Sequence, residues 1–324
     1  MIILKYICTQ LLVIHHVIRS IIIEYLYSSK SLLEKYVFKN NFSYISNMVQ
    51  NLLLLGALCT FCQCITAYSY QMHGYLGKMA DVYLERYEPK LYNKVMTLFK
   101  GQTISSVSSW ADKIKHNTKY SWTRNLHFID ILECHTLKYN KSVIDKYCNN
   151  SCIFSALQDF TNSIKYNSEY IYTINQALNK SIELTNIELT NIELLKLLIH
   201  FIQDYSQPMH LLGYDRGGND LKIVIFMDGK NISSNLHYIW DSVLPQHFID
   251  NYAYTLVNNR YSKPDNYYEL LENVLNTNIQ ISCRIYPDSH YIIFNDYFNA
   301  NYFVTLFDNY QHLMVSTLKY IFED

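Results

Sequence analysis

The chain has 324 residues, 49% of them apolar and 17% charged, with a formal net charge of −1. This is a globular balance with room for one large domain or two small ones, and it excludes gripping duplex DNA by phosphate contacts from a basic surface alone. If the substrate is a nucleic acid, metal ions and base stacking must supply much of the binding.

Residues 1–23 are apolar but interrupted by Lys5, His15, His16 and Arg19. From Leu52 to Ile65, "LLLLGALCTFCQCI" carries no charge. That length is short for a membrane span and suits the apolar core of a signal peptide. The small pair Thr66–Ala67 follows it, and Met48 sits just ahead. The expected organisation is an N-terminal extension over 1–47, a signal-peptide-like or anchor segment over 48–67, and one domain over 68–324. The product is expected in the secretory pathway as a secreted glycoprotein, or membrane-tethered if the leader stays. Cys8, Cys59, Cys62 and Cys64 fall in the leader, leaving Cys134, Cys148, Cys152 and Cys283. An even count in a secreted chain suggests two disulfides, with three connectivities open.

Beyond Ala67 the pattern is mostly helical. Apolar residues recur at helical intervals over 73–87, 194–205 and 301–322. "LKIVIF" (221–226) alternates and is followed by the turn signal Asp228-Gly229, predicting a short hairpin near 221–232 in an all-α domain. The tandem "IELTNIELTNIELL" (182–195) reads as an expansion in a loop, because five residues advance about 140° around a helix and leave no stripe. Its last unit can start a helix, since Thr190 and Glu193 have capping-box spacing. That helix must break near Pro208. His200 and Asp204 then share a face, and His210 sits just beyond the helix end.

Four segments carry the chemistry: "SSWADKIK" (108–115), "WTRNLHFID" (122–130), "HFIQDYSQPMH" (200–210) and "NLHYIWD" (235–241). One His-x3-Asp pair alone would be a helix-surface interaction. Together, Asp112, His127, His200, Asp204, His210, His237 and Asp241 form an imidazole–carboxylate set projected from several helices. This is how a helical bundle builds a hydrolytic zinc site. Seven donors suffice for more than one ion, and clustered cations point to phosphoester hydrolysis. His116, His135, His247, His290 and His312 lie outside the pattern and read as structural or solvated.

The segments "SWAD", "LHFID", "HFIQDYSQPMH", "GGN" (217–219) and "NLHYIWD" come in the order and approximate spacing of the zinc-dependent, single-strand-specific type I nucleases. The chain resembles that family over about 73–324. The resemblance implies the all-helical fold shared with zinc phospholipase C, holding three zinc ions. Asp112, His127 and His200 would bind one ion, with Asp204 bridging to a second; His210, His237 and Asp241 would hold the third. Asp112 would also orient a zinc-bound hydroxide attacking phosphorus, and Lys115 would stabilise the developing charge. Phe128 would stack on a base while Asp130, Gly217 and Asn219 read it. The disulfides would be Cys134–Cys283 and Cys148–Cys152. The implied activity is that of an endonuclease or 3′-nucleotidase releasing 5′-phosphorylated products from single-stranded RNA or DNA. The alternatives are a phospholipase C-like phosphodiesterase or a catalytically impaired nucleic-acid-binding relative. No stable protein partner is implied.

One departure concerns the second ion. The family's mature N-terminal Trp and a His five residues later align with His73 and Lys78. A protonated Lys78 cannot ligate. His73 compensates if processing exposes its amine; otherwise the count falls to two ions.

Overall fold

The apolar spacing that marks residues 73–87 produces helix α1, Tyr70–Tyr87, followed directly by α2, Pro89–Leu98, with proline in its first turn. A computed structural model describes residues 70–134, 141–148, 151–166, 171–174, 185–227, 229–252, 259–286 and 300–323. The expectations for the extension, the leader and its cysteines lie outside the described residues, as do His135, His290 and Asp228. Two short helices come next, α3 (Ile104–Val107) and α4 (Trp110–Ile114), then a 3₁₀ helix over Thr118–His127. Helices α5 (Lys141–Cys148) and α6 (Ile153–Lys165) lead to α7 (Asn191–Tyr205). Beyond it, α8 comprises Leu236–Tyr238, a wide turn with i→i+5 bonds over Ile239–Val243, and Leu244–Tyr252. The last helices are α9 (Tyr267–Ile285) and α10 (Ala300–Phe322). The fold is mostly helical, as the sequence predicts.

Helix α7 is the centre of the packing. It touches α1, α4, α6, α10 and the 3₁₀ helix. All residues from Leu197 to Tyr205 are buried, so it is enclosed on every side. Its start is the capping box read from the sequence. The Thr190 hydroxyl accepts from the Glu193 amide at 3.2 Å, and the Glu193 carboxylate accepts from the Thr190 amide at 2.9 Å. Its end is a turn at Ser206, after which Pro208–His210 forms one 3₁₀ turn.

A glycine sets the approach of α1 to α3. A Cβ on Gly77 would lie 2.6 Å from Ser105 Cα and 2.4 Å from Ser108 Oγ, so no larger residue fits without moving the backbone. Asp81 fixes the same contact by accepting the Ile104 and Ser105 amides, both at 3.0 Å. Because Ser108 contacts the central histidine of α7, this crossing helps position the site.

Two antiparallel hairpins complete the described residues. The expected one pairs β3 (Lys222–Met227) with β4 (Lys230–Asn235), turning through Gly229 at φ +74°. The other pairs β1 (Ile171–Ile174) with β2 (Thr185–Glu188), in register Ile171 to Glu188. The repeat is therefore not wholly a loop. Its "TNIE" unit alternates β-branched and polar residues at a period of two, which a strand can use although a helix cannot.

Disulfides join Cys134 to Cys283 and Cys148 to Cys152. The first ties the chain just past the 3₁₀ helix to α9. No helix among the described residues is long and apolar enough to cross a membrane.

Candidate metal centre

Helix α7 places His200, Gln203 and Asp204 on one face, at i, i+3 and i+4, all fully buried. Three polar residues in an otherwise apolar central helix need partners. The His200 Nδ1–H donates to the Ser108 carbonyl at 2.7 Å, which turns Nε2 inward. There it lies 3.2 Å from Asp204 Oδ2, 3.2 Å from His127 Nδ1 and 3.7 Å from Asp112 Oδ1. His127 ends the 3₁₀ helix with its Nδ1 2.7 Å from Asp204 Oδ2. Asp112 arrives from the first turn of α4, and Lys115, one turn on, reaches its Oδ1 at 2.6 Å. His73 closes the group from α1, its Nε2 3.6 Å from Asp204 and 3.7 Å from Asp112.

The outer group forms where the chain leaves α7. The His210 Nδ1–H donates to the His127 carbonyl at 2.8 Å, and the His237 Nδ1–H donates to the Gly217 carbonyl at 2.8 Å. Both Nε2 atoms therefore face Asp241, at 3.6 Å and 3.0 Å. Asp241 sits in the wide turn of α8, a distortion common at functional sites. The two groups are linked by backbone. The Ile129 amide donates to the His210 carbonyl at 2.9 Å, and the Ile131 amide to that of Leu211 at 3.2 Å.

The donor chemistry fits metal. Within each of three triads, His73–His200–Asp204, Asp112–His127–His200 and His210–His237–Asp241, the ligand atoms lie within 4.8 Å of one another. Three histidines anchor Nδ1–H on a backbone carbonyl and His73 anchors its own on a side-chain amide, the outer bonding that orients metal-ligating imidazoles. Buried Asp112 Oδ2 and Asp204 Oδ1 accept no hydrogen bond. Without metal, the charge compensation comes from the Lys115 ammonium beside Asp112 and from protons on the imidazoles. Burial opposes charge on His210, yet Asp204 and Asp241 overcome it and raise its pKa to about 9. Burial opposes charge on His200 too, but Asp204 and Asp112 overcome it and raise its pKa. Burial lowers His73 and His127 to about 4. Burial would raise Asp204, but the surrounding histidines hold it well below the usual carboxylate range.

Outside the metal groups lies a cleft of about 420 Å³. Its wall includes Lys115, Phe128, Asp130, Gly217 and Asn219, the substrate-contacting residues expected from sequence. Phe128 is 37% exposed, with its ring available for stacking. Gly217 belongs to a left-handed turn in which Asp215, Arg216, Gly217 and Gly218 all have positive φ. A Cβ on Gly217 would lie 2.4 Å from the Met209 carbonyl and 3.3 Å from His237 Nδ1.

One expectation needs revision. His116 lines the cleft and is not merely solvated. Lys78 is exposed on α1, whereas His73 is fully buried against the inner group by its side chain. Five residues turn a helix by about 140°, so the two face different ways. Sequence reasoning also missed Gln203 and Gln207, although both lie in the "HFIQDYSQPMH" stretch. Gln207 accepts the Met209 and His210 amides and donates to Asp241, binding the turn to the outer group. An amide inside an apolar helix was the available signal. Arg124 and Arg216, also missed, line the cleft, the Arg216 guanidinium being paired with Asp220 through two hydrogen bonds of 2.7 Å.

A family model for the S1/P1 nucleases matches residues 68–304, well over half of the chain. The chain belongs to the S1/P1 nuclease family. This S1/P1-family chain is 28% identical over 209 residues to Endonuclease 4 of Arabidopsis thaliana, covering 63% of the chain and 62% of that protein. It is 32% identical over 151 residues to Nuclease P1 of Penicillium citrinum, covering 46% and 48%. It is 27% identical over 151 residues to Nuclease S1 of Aspergillus oryzae, covering 46% and 45%. The match thus spans less than two thirds of each relative. The three buried His/Asp groups are consistent with the metal sites of this family.

Proposed function

We propose that this chain is a secreted zinc-dependent phosphodiesterase that cleaves single-stranded RNA or DNA, or 3′-nucleotides, to 5′-phosphorylated products. The observation that carries the reading is the opening of two buried His/Asp groups toward one cleft walled by Lys115 and Phe128. Bound zinc supplies Lewis-acid charge and makes water acidic enough to act as a nucleophile near neutral pH. Asp112 orients the nucleophile. Lys115, held by Asp112 and 21% exposed, presents its ammonium to the phosphoryl oxygens. Phe128 stacks on an unpaired base, worth about 1–3 kcal/mol, and a duplex cannot offer that face. Asp130, Gly217 and Asn219 read the edge of the stacked base. Arg124 adds a positive charge at the cleft to a chain whose net charge is −1.

Secretion is supported by the apolar run over 52–65 and by two disulfides, which persist in oxidising compartments. If the leader is retained, it tethers the enzyme to a membrane. The test is elemental analysis together with cleavage assays on single-stranded and duplex substrates, with and without chelator. Zinc and chelator-sensitive cleavage of single strands are expected. Protein without zinc, or release of phosphocholine from lipid without nucleic-acid cleavage, overturns the reading.

A further inference from the structure

We infer that Arg124 forms a second phosphate subsite in the cleft, which takes a phosphodiester next to the one being cleaved and so favours strands with several phosphates over substrates with one. The inference rests on the nuclease reading above and deepens it.

The cleft wall carries Lys115, Arg124 and Arg216. Two of these cations are already paired. The Lys115 ammonium lies 2.6 Å from Asp112 Oδ1 and so belongs to the inner metal group. Arg216 gives two guanidinium nitrogens to the Asp220 carboxylate, each at 2.7 Å. Arg124 differs from both. Its Nε–H donates to the Lys115 carbonyl at 2.9 Å, and no carboxylate among the described residues pairs with its terminal nitrogens. Lys115 caps the C-terminal end of α4, so this bond alone would be a structural one, satisfying a carbonyl that the helix leaves open. It uses only one of the guanidinium's donors. It also holds one edge of the guanidinium plane, so less side-chain freedom remains to be lost when a ligand takes the terminal edge.

The terminal edge of a guanidinium matches two phosphate oxygens at once, which makes phosphate the fitting ligand. Which phosphate follows from burial. Lys115 is 21% exposed and bound to Asp112, whereas Arg124 is exposed and pairs with none of the metal-group carboxylates. The cleft therefore has an inner cation at the metal groups, where the scissile phosphate belongs, and an outer one toward solvent. Phe128, four residues beyond Arg124, is exposed on the same wall, so a base on its ring and a phosphate on Arg124 can belong to one strand. A substrate with a single phosphate fills the inner position and leaves Arg124 unused. A longer strand fills both.

The test uses the metal-loaded full-length protein with two substrates: a dinucleoside monophosphate, whose only phosphate is the scissile one, and a short single-stranded oligonucleotide. Arg124→Ala should raise the KM for the oligonucleotide about 10-fold more than that for the dinucleoside monophosphate, the low end for a charged hydrogen bond because the site is exposed. The slope of log KM against log salt for the oligonucleotide should become shallower by about 0.7, the share of one phosphate on a single strand. Arg124→Lys keeps the charge without the planar fork or the Nε–H, so it should keep the salt slope while raising KM. Equal losses on the two substrates, or a fall confined to kcat, would mean that Arg124 only steadies Lys115, and would overturn the inference while the nuclease reading stands. An unchanged slope in Arg124→Ala, or a reduced one in Arg124→Lys, overturns it as well. In the natural protein the preference for the oligonucleotide should shrink as salt rises, and a preference independent of salt overturns the inference without any variant. A natural protein that cleaves neither substrate sinks both readings.

Discussion

Raising the pH of the metal-free protein from 7 to 9 should weaken it, because His210 gives up a stabilising proton in that window. Its pKa rises from an ordinary 6.5 to about 9, mostly through Asp204 and Asp241 acting against burial. A raised folded pKa contributes stability that is fully present below 6.5 and lost as pH climbs through the folded value. At ~1.4 kcal/mol per pH unit the whole contribution is about 3 kcal/mol, of which about 2 kcal/mol disappears between pH 7 and 9. His210 is only 4% exposed, so solvent screening takes little from this figure. His200 is raised too and adds with the same sign. His73 and His127, lowered to about 4, act in the opposite direction, but their contribution is complete once the pH exceeds 6.5. Asp204 and Asp241 are lowered, so their contributions are already in place above the usual carboxylate range. The buried tyrosines Tyr205, Tyr267 and Tyr310 are raised and matter only above about 10. Urea unfolding in chelator, with disulfides intact, measures the slope directly. With zinc present the trend should reverse, because ions replace protons and bind more tightly as pH rises. A metal-free stability that stays flat or increases from pH 7 to 9 would refute the reasoning, as would an unchanged slope in His210→Gln.

Lys115→Ala should lower the turnover of single-stranded substrate by roughly 10²–10³ while metal content stays constant; wild-type turnover would remove Lys115 from the charge-stabilising role. Gly217→Ala forces a methyl against the Met209 carbonyl at positive φ. It should cost about 1–3 kcal/mol and weaken the outer ion about 10–100-fold by disturbing His237, both measurable by urea unfolding and metal titration. Replacing Cys134 and Cys283 by Ser releases a crosslink spanning 149 residues, whereas Cys148–Cys152 spans 4. The chain-entropy expectation is a loss of about 5 kcal/mol for the long loop and about 2 kcal/mol for the short one, so the reverse order in urea midpoints would argue against it.

The helices, the capping box at Thr190 and the β3–β4 hairpin were legible because each is encoded within one or two turns of chain. The same holds for the pairing of His200 with Asp204 and of His237 with Asp241, since i and i+4 share a helix face wherever the helix goes. The β1–β2 hairpin was not legible, because pairing Ile171 with Glu188 depends on contact between segments.

By itself, the sequence determined which residues have the chemistry: seven His and Asp donors at metal-compatible spacing, one lysine, one aromatic beside them, and four cysteines after residue 67. Tertiary structure decided which nitrogen of each imidazole faces inward, because that choice depends on carbonyls and amides far along the chain. Ser108 orients His200, His127 orients His210, Gly217 orients His237 and Gln203 orients His73. It also decided between His73 and Lys78. The alignment of motifs put both at the N-terminal site, but the rotation of α1 buries the imidazole beside Asp112 and Asp204 and turns the ammonium out to solvent.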